Sequence, residues 1–360
     1  MSKKLRAISF FLPQFHPILE NDEWWGKGFT EWTNVTKTVP RFKGHYQPHL
    51  PADMGFYDLR LNETLVNQAK LAKEHGIDGF CFHHYWFSGK KLLEKPLEIM
   101  LELKAPDFPF CLCWANENWT RNWDGQNKKI LIEQNYSDED DVEHFKYLSN
   151  YFLDDRYIKV NGKPVLLVYR PEVISNIKER TAKWRMEARK YGFEDIYLIF
   201  IESFIRNINP NDFGFDASFA FQPNWNNLPK QIKPPFKDKL LSHLGIGQSP
   251  FVKNKIYNYK DFVETQMKLK ISKEHKTYLG VTPMWDNSAR RKSDAMIFRD
   301  SSPEVFGKWL KHIVDEFEPY SSEENFIFLN AWNEWAEGNH LEPCQKWGKK
   351  YLEVTKDVFN

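Results

Sequence analysis

Two carboxyl groups stand three residues apart in Asn333-Glu334-Trp335-Ala336-Glu337-Gly338, directly after the apolar run Phe326–Trp332. That spacing puts both on one side of a tight turn or a first helical turn. Glycoside cleavage asks for such a pair: one carboxylic acid protonates the departing oxygen, and a second carboxylate acts as base or nucleophile. Burial and mutual repulsion separate the two pKa values and keep one group protonated near neutrality. Glu334 and Glu337 are therefore the expected catalytic residues. The plainer account, two surface glutamates opening a helix, fits poorly with the Asn- and Trp-rich strand that leads into them.

Other chemistry-bearing residues fall at the ends of further β-rich runs. His16 follows the first, and the second closes on His83, Tyr85 and Trp86. The third delivers Trp114, Asn116, Glu117 and Trp119, the fourth Tyr169, and the fifth Glu202. The sixth gives Gln222 and Trp225, the seventh Trp285 and Asp286, and the eighth Asn333 beside the catalytic pair. One such residue is easily packing or capping; all eight ends together are harder to explain that way. Sugars offer flat C–H faces to aromatic rings and hydroxyls to amides and carboxylates, so these residues are expected to bind substrate.

The elements that must position them alternate. The runs are Leu5–Leu12, Gly79–Trp86, Phe108–Trp114, Pro164–Arg170, Ile196–Glu202, Ala217–Phe221, Tyr278–Trp285 and Phe326–Trp332. Their near-continuous apolarity suits parallel strands covered on both faces. Helical spacing separates them at Leu61–His75, Leu92–Leu103, Ser137–Phe152, Val173–Tyr191, Asp261–Glu274, Pro303–Phe317 and Lys346–Val358. Ser137 and the four acidic residues after it read as an N-cap with favourable charge at a helix start. Eight such alternations predict a single (β/α)8 TIM barrel over residues 1–360, with long loops after strands 1 and 6. Those loops are Asn21–Met54 and Asn226–Lys260, the second holding seven Lys against one Asp. In such barrels the site forms at the C-terminal strand ends.

Composition narrows the function. There are 50 Lys+Arg against 49 Asp+Glu, a net charge of +1, which argues against bulk nucleic-acid binding and fits an uncharged substrate. Mean hydropathy is −0.63, and no apolar run approaches the ~18 residues of a membrane span. The 29 Phe, 15 Tyr and 14 Trp exceed ordinary core needs. Trp86, Trp114, Trp119, Trp225, Trp285, Trp332 and Trp335 are expected to form a sugar-stacking rim. The six apolar residues after the basic start stop at Pro13 without a cleavage site, so they read as a first strand and the protein as cytoplasmic. No C-x-x-C pair, phosphate loop or GxGxxG is present, and no cofactor is expected. His45 and His49 have i, i+4 spacing, but Pro48 breaks any helix that would present both to a metal. His83 and His84 point to opposite faces of their strand, one into the barrel mouth and one outward.

FLPQFHP, FTEWTNV, GFCFHHYWF, WANENWTRNWDG and LNAWNEWAEGNHLEP resemble the WbsX-type family, often labelled glycosyltransferases of polysaccharide and O-antigen biosynthesis. That family is similar to glycoside hydrolase family 99, the endo-α-mannosidases and endo-α-mannanases, which are (β/α)8 barrels. The resemblance implies a retaining, metal-independent enzyme. By position, Glu334 is the base that deprotonates the sugar's 2-hydroxyl to give a 1,2-anhydro-sugar, and Glu337 is the acid/base. The mannosidases carry His where this chain has Ala336, so the sugar contacts there differ. A mannose-type or related oligosaccharide or polysaccharide is the implied substrate. Two alternatives remain. A transferase would pass the glycosyl unit to another sugar, with Arg290-Arg291-Lys292 and the Lys-rich loop meeting a diphosphate or acidic glycan, although a solvated basic loop is the simpler reading of both. A glycan-binding protein would keep the aromatics without needing both glutamates.

Overall fold

The structure, a computed structural model, describes residues 5–120, 130–236, 249–270 and 273–360. Its centre is a closed ring of eight parallel strands, Arg6–Phe11 (β1), Gly79–Phe87 (β2), Phe110–Trp114 (β3), Lys163–Val168 (β4), Tyr197–Ile201 (β5), Ala217–Phe219 (β6), Thr277–Val281 (β7) and Phe326–Leu329 (β8). Ser9 of β1 pairs with Phe80 of β2 on one side and Leu329 of β8 on the other, which closes the barrel. This is the TIM-barrel α/β fold expected from the alternation.

Phenylalanine fills the barrel. Phe10 stacks on Phe219 at 5.7 Å between centroids, and Phe219 meets Phe328 at 4.5 Å. Gly280 on β7 makes that packing possible: a Cβ there would stand 2.7 Å from the Phe219 ring and 2.9 Å from the Phe328 carbonyl oxygen. Helices Asn62–Glu74, Lys95–Glu102, Asp138–Phe152, Ile177–Lys190, Tyr259–Gln266, Pro303–Glu316 and Lys350–Phe359 surround the ring. Ser137 caps the third of these, accepting from the Asp140 amide at 3.1 Å, as its sequence suggests. The helix expected over Asp261–Glu274 ends earlier, at Gln266. That expected over Val173–Tyr191 begins only at Ile177, after a short 3-10 turn at Pro171–Val173.

Strand eight is shorter than expected. It stops at Leu329, and Asn333–Glu334 instead pairs antiparallel with Asn339–His340 around a 3-10 turn, Trp335–Glu337. The loop after β1 folds into two short helices, Leu19–Trp25 and Glu31–Lys37, that lie over the barrel mouth. Much of the Lys-rich loop after strand six, residues 237–248, lies outside the described residues, as does Arg121–Asp124 of the tryptophan-rich motif after β3. Among the described residues no helix is long and apolar enough to cross a membrane.

Candidate active site

The turn bearing the two glutamates is anchored on three sides. Asn333, fully buried, accepts from the Leu12 amide at 2.7 Å and donates to the Leu12 carbonyl at 3.0 Å, tying the turn to the end of β1. The Asp286 amide donates to the Glu337 carbonyl at 2.6 Å. Gly338 closes the turn at φ 54°, and a Cβ there would lie 3.0 Å from that of Asp286, so this position favours glycine on both counts. Trp335 stacks on His340 at 3.8 Å and donates from its indole to Glu342 at 2.6 Å. Tyr57 and Gln68 also donate to Glu342, whose carboxyl burial pushes up to about 7.

So held, Glu334 and Glu337 share one cation. Arg290 reaches Glu337 Oε1 at 2.7 Å, Glu334 Oε2 at 3.0 Å and Glu31 Oε2 at 3.1 Å. Three carboxylates around one guanidinium cannot all ionise cheaply in a sheltered site. Burial pushes Glu337 up to about 8, Arg290 opposing and Glu334 and Glu31 adding to the rise. Burial also raises Glu334 above the ordinary carboxylate value, again against Arg290. The guanidinium is itself held well above its ordinary value, because the three carboxylates outweigh its burial. The arrangement can hold one proton on Glu337 near neutrality while Arg290 supports charge on its neighbours.

These groups face a cavity of about 600 Å³ at the C-terminal end of the barrel. Of the residues expected there, Glu334, Glu337, His83, Tyr85, Glu117, Trp119, Tyr169, Trp225 and Trp285 line it. His83 Nε2 stands 3.9 Å from Glu334 Oε1. Trp225 and Trp285 meet edge to face at 5.0 Å on one wall, and Trp119 packs on Tyr85 at 5.2 Å on another. Glu117 pairs with Arg170, and burial raises its carboxyl.

The remaining expectations are corrected. Trp86 and Trp114 lie on the outer face of their strands, around His144, because side-chain direction alternates along a strand. His84 is outside with them, 2.9 Å from His144, while His83 faces the mouth as expected. Trp332 and Trp335 are core residues, 0% and 1% exposed, so only part of the tryptophan set forms a rim. His16 is buried near Asp58 and Arg60, and burial lowers it to about 4. Asn116 braces the end of β4, accepting from the Arg170 amide at 2.8 Å and donating to its carbonyl at 2.9 Å. Glu202 and Gln222 line a separate cavity of about 150 Å³. Asp286 is a wedge behind the turn, bonded to His45 at 2.6 Å and Gln47 at 2.8 Å, and Asn333 is the clamp described above. His45 is thus engaged by Asp286, and His49 lies 3.0 Å from His340.

Sequence reasoning missed Glu31, and it read Arg290 as part of a solvated basic loop. Glu31 is 0% exposed at the start of its helix, and its amide donates to the Gln14 carbonyl at 3.1 Å. The available signal was position: Arg290 follows the seventh strand end by only a few residues, and Glu31 sits inside FTEWTNV. Asn21, Trp25 and Phe204 also line the cavity.

Fold and site together define a TIM barrel whose mouth carries a carboxylate–arginine cluster between aromatic walls. Solved structures share this architecture. A glycoside hydrolase-like protein superposes with a TM-score of 0.61 at 13% identity, covering 100% of this chain and 95% of that one. The family 99 endo-α-mannosidase of Bacteroides thetaiotaomicron gives 0.57 at 14%, covering 98% and 96%. At such identities the likeness is one of fold. The family model described as glycosyltransferase WbsX matches residues 7–355, and the chain belongs to that family. Two proteins called uncharacterized protein WxcX, from two strains of Xanthomonas campestris pv. campestris, are 40% identical over 353 and 359 residues, 98% of this chain and 49% of their own length. The chain spans about half the length of these curated relatives.

Proposed function

We propose that this protein cleaves glycosidic bonds in a mannose-type or related polysaccharide, with retention and without a metal. The carrying observation is the Glu334–Arg290–Glu337 cluster at the floor of an aromatic-walled cavity, with burial holding a proton on Glu337. In this reading Glu334, ionised beside Arg290, removes the proton of the sugar's 2-hydroxyl as that oxygen attacks C1. Glu337 gives its proton to the departing oxygen, and a 1,2-anhydro-sugar forms. Glu337, now a carboxylate, then takes a proton from water as the water attacks C1. The C1–O2 bond opens, and Glu334 returns its proton to O2. The trigger for both steps is differential ionisation of two neighbouring carboxyls, which the geometry supports.

Transfer to a second sugar uses the same pair, with a sugar hydroxyl in place of water, and the family's description favours that reading. Product analysis separates them: hydrolysis releases reducing ends, whereas transfer leaves their number unchanged and redistributes chain lengths. Glu337→Gln should abolish either turnover while sugar binding persists. Turnover near the wild-type rate in that variant refutes the mechanism, and loss of sugar binding with it refutes the role given to Glu337.

A further inference from the structure

A second groove of about 530 Å³ adjoins the active-site cavity and shares Trp25, Arg290 and Arg291 with it. Its described lining contains five basic side chains and no Asp or Glu. Arg41 is committed to the fold, donating to Asn254 at 2.5 Å and to the Ser288 carbonyl at 2.8 Å. Arg290 is held in the carboxylate cluster. Lys37, Arg291 and Lys292 are exposed and form no ion pair among the described residues. Asn34 also lines the groove, is 3% exposed, and its amide Nδ2 has no hydrogen-bond partner among the described residues. A buried donor without a partner is costly unless a ligand supplies an acceptor. Trp24 and Trp25 add flat apolar surface.

From this we infer that the groove is a subsite for an acidic sugar unit of the glycan, one carrying a carboxylate or phosphate substituent, next to the bond that the catalytic pair attacks. The inference rests on the proposed glycan chemistry and sharpens its substrate class. Net charge near zero hides it, because the compensating acids lie elsewhere on the molecule. Three exposed cations favour an oxyanion, a neutral amide donor adds direction, and the indoles take the ring face. A nucleotide diphosphate is the poorer fit, since the chain lacks a glycine-rich phosphate loop.

The test is equilibrium binding to the full chain by titration calorimetry. The probes are short oligosaccharides carrying galacturonate, glucuronate or sugar phosphate, neutral oligosaccharides of equal length, and uridine diphosphate. At least one acidic probe is expected to bind about ten-fold or more tighter than its neutral counterpart, less so at high salt. That preference should be lost in the Arg291→Ala/Lys292→Ala variant and kept in Glu337→Gln. Equal affinity for charged and neutral probes, a preference that survives the double variant, or tight binding of uridine diphosphate alone each overturns the proposal. An acid preference that is kept while Glu337→Gln still turns over substrate overturns the mechanism instead and leaves the subsite standing. Absence of any acid preference in the unmodified chain, with neutral glycan still turned over, does the reverse.

Discussion

Replacing Arg290 by Gln removes the cation that Glu334 and Glu337 share among the described residues, and its consequence can be worked from the distances. The guanidinium lies 3.0 Å from one carboxylate and 2.7 Å from the other. Unit charges about 4 Å apart interact by about 4 kcal/mol at an effective dielectric near 20. After relaxation, an opposite charge this close lowers a carboxyl pKa by about 1–3 units, each worth about 1.4 kcal/mol. Arg290 opposes the rise of both groups, so its loss raises both. In the proposed mechanism the acid limb of the kcat/KM profile is set by ionisation of Glu334 and the alkaline limb by Glu337; the first should move about 1–3 units to alkaline pH, and the second should follow. On the acid side that is about a ten-fold loss of rate per unit. Arg290→Lys, which keeps the charge, should leave both limbs near the wild-type positions. Reducing-end release across pH reads the limbs, and carbon NMR of labelled glutamate reads the same titrations without substrate. Limbs that stay in place or move to acid pH in Arg290→Gln, or equal losses in the Gln and Lys variants, refute the electrostatic role.

Three further outcomes follow from the geometry. Because the folded pKa of Glu337 is raised, to about 8 from an ordinary 4.5, its protonated form contributes stability that is full below 4.5 and lost as pH rises through 8. Glu337→Gln should therefore gain on wild type between pH 5 and 8, by about 3–4 kcal/mol in urea unfolding, and a constant or shrinking difference would contradict this. Asn333→Ala leaves both the amide and the carbonyl of Leu12 without their buried partner and should cost about 2–4 kcal/mol; a thermal midpoint unchanged from wild type would show that the clamp is redundant. Trp119→Ala should raise KM about two- to ten-fold with kcat little changed, whereas Trp86→Phe, outside the cavity, should leave KM alone; the reverse ranking would mean that the rim is misassigned.

The barrel was legible because its strands are apolar runs of the right length, separated by helical spacing, and the Glu334–Glu337 pair because its spacing is local. What eluded reading was direction and distance. Trp86 and Trp114 lie at strand ends as the rim requires, yet alternation sends them outward; His83 and His84, treated with that alternation, were placed correctly. Glu31 and Arg290 meet across 259 residues of chain, and nothing near either one signals the other. The expected continuation of strand eight to Trp332 failed because an apolar stretch looks the same whether it is extended or turning over a neighbour.

The clamp between Asn333 and Leu12 joins residues 321 positions apart, across the seam where the last strand meets the first. Glu31 comes from one side of that seam, and Arg290, Glu334 and Glu337 from the other. Completion of the cluster by Glu31 therefore depends on ring closure, which is among the most non-local contacts of the described residues and of a kind that slows folding. The edge of β1 that faces this seam has its strand partner only once β8 is in place. Until the seam closes, Glu31 is not brought to Arg290, Glu334 and Glu337, so the full set of three carboxylates around one guanidinium exists only in the closed barrel.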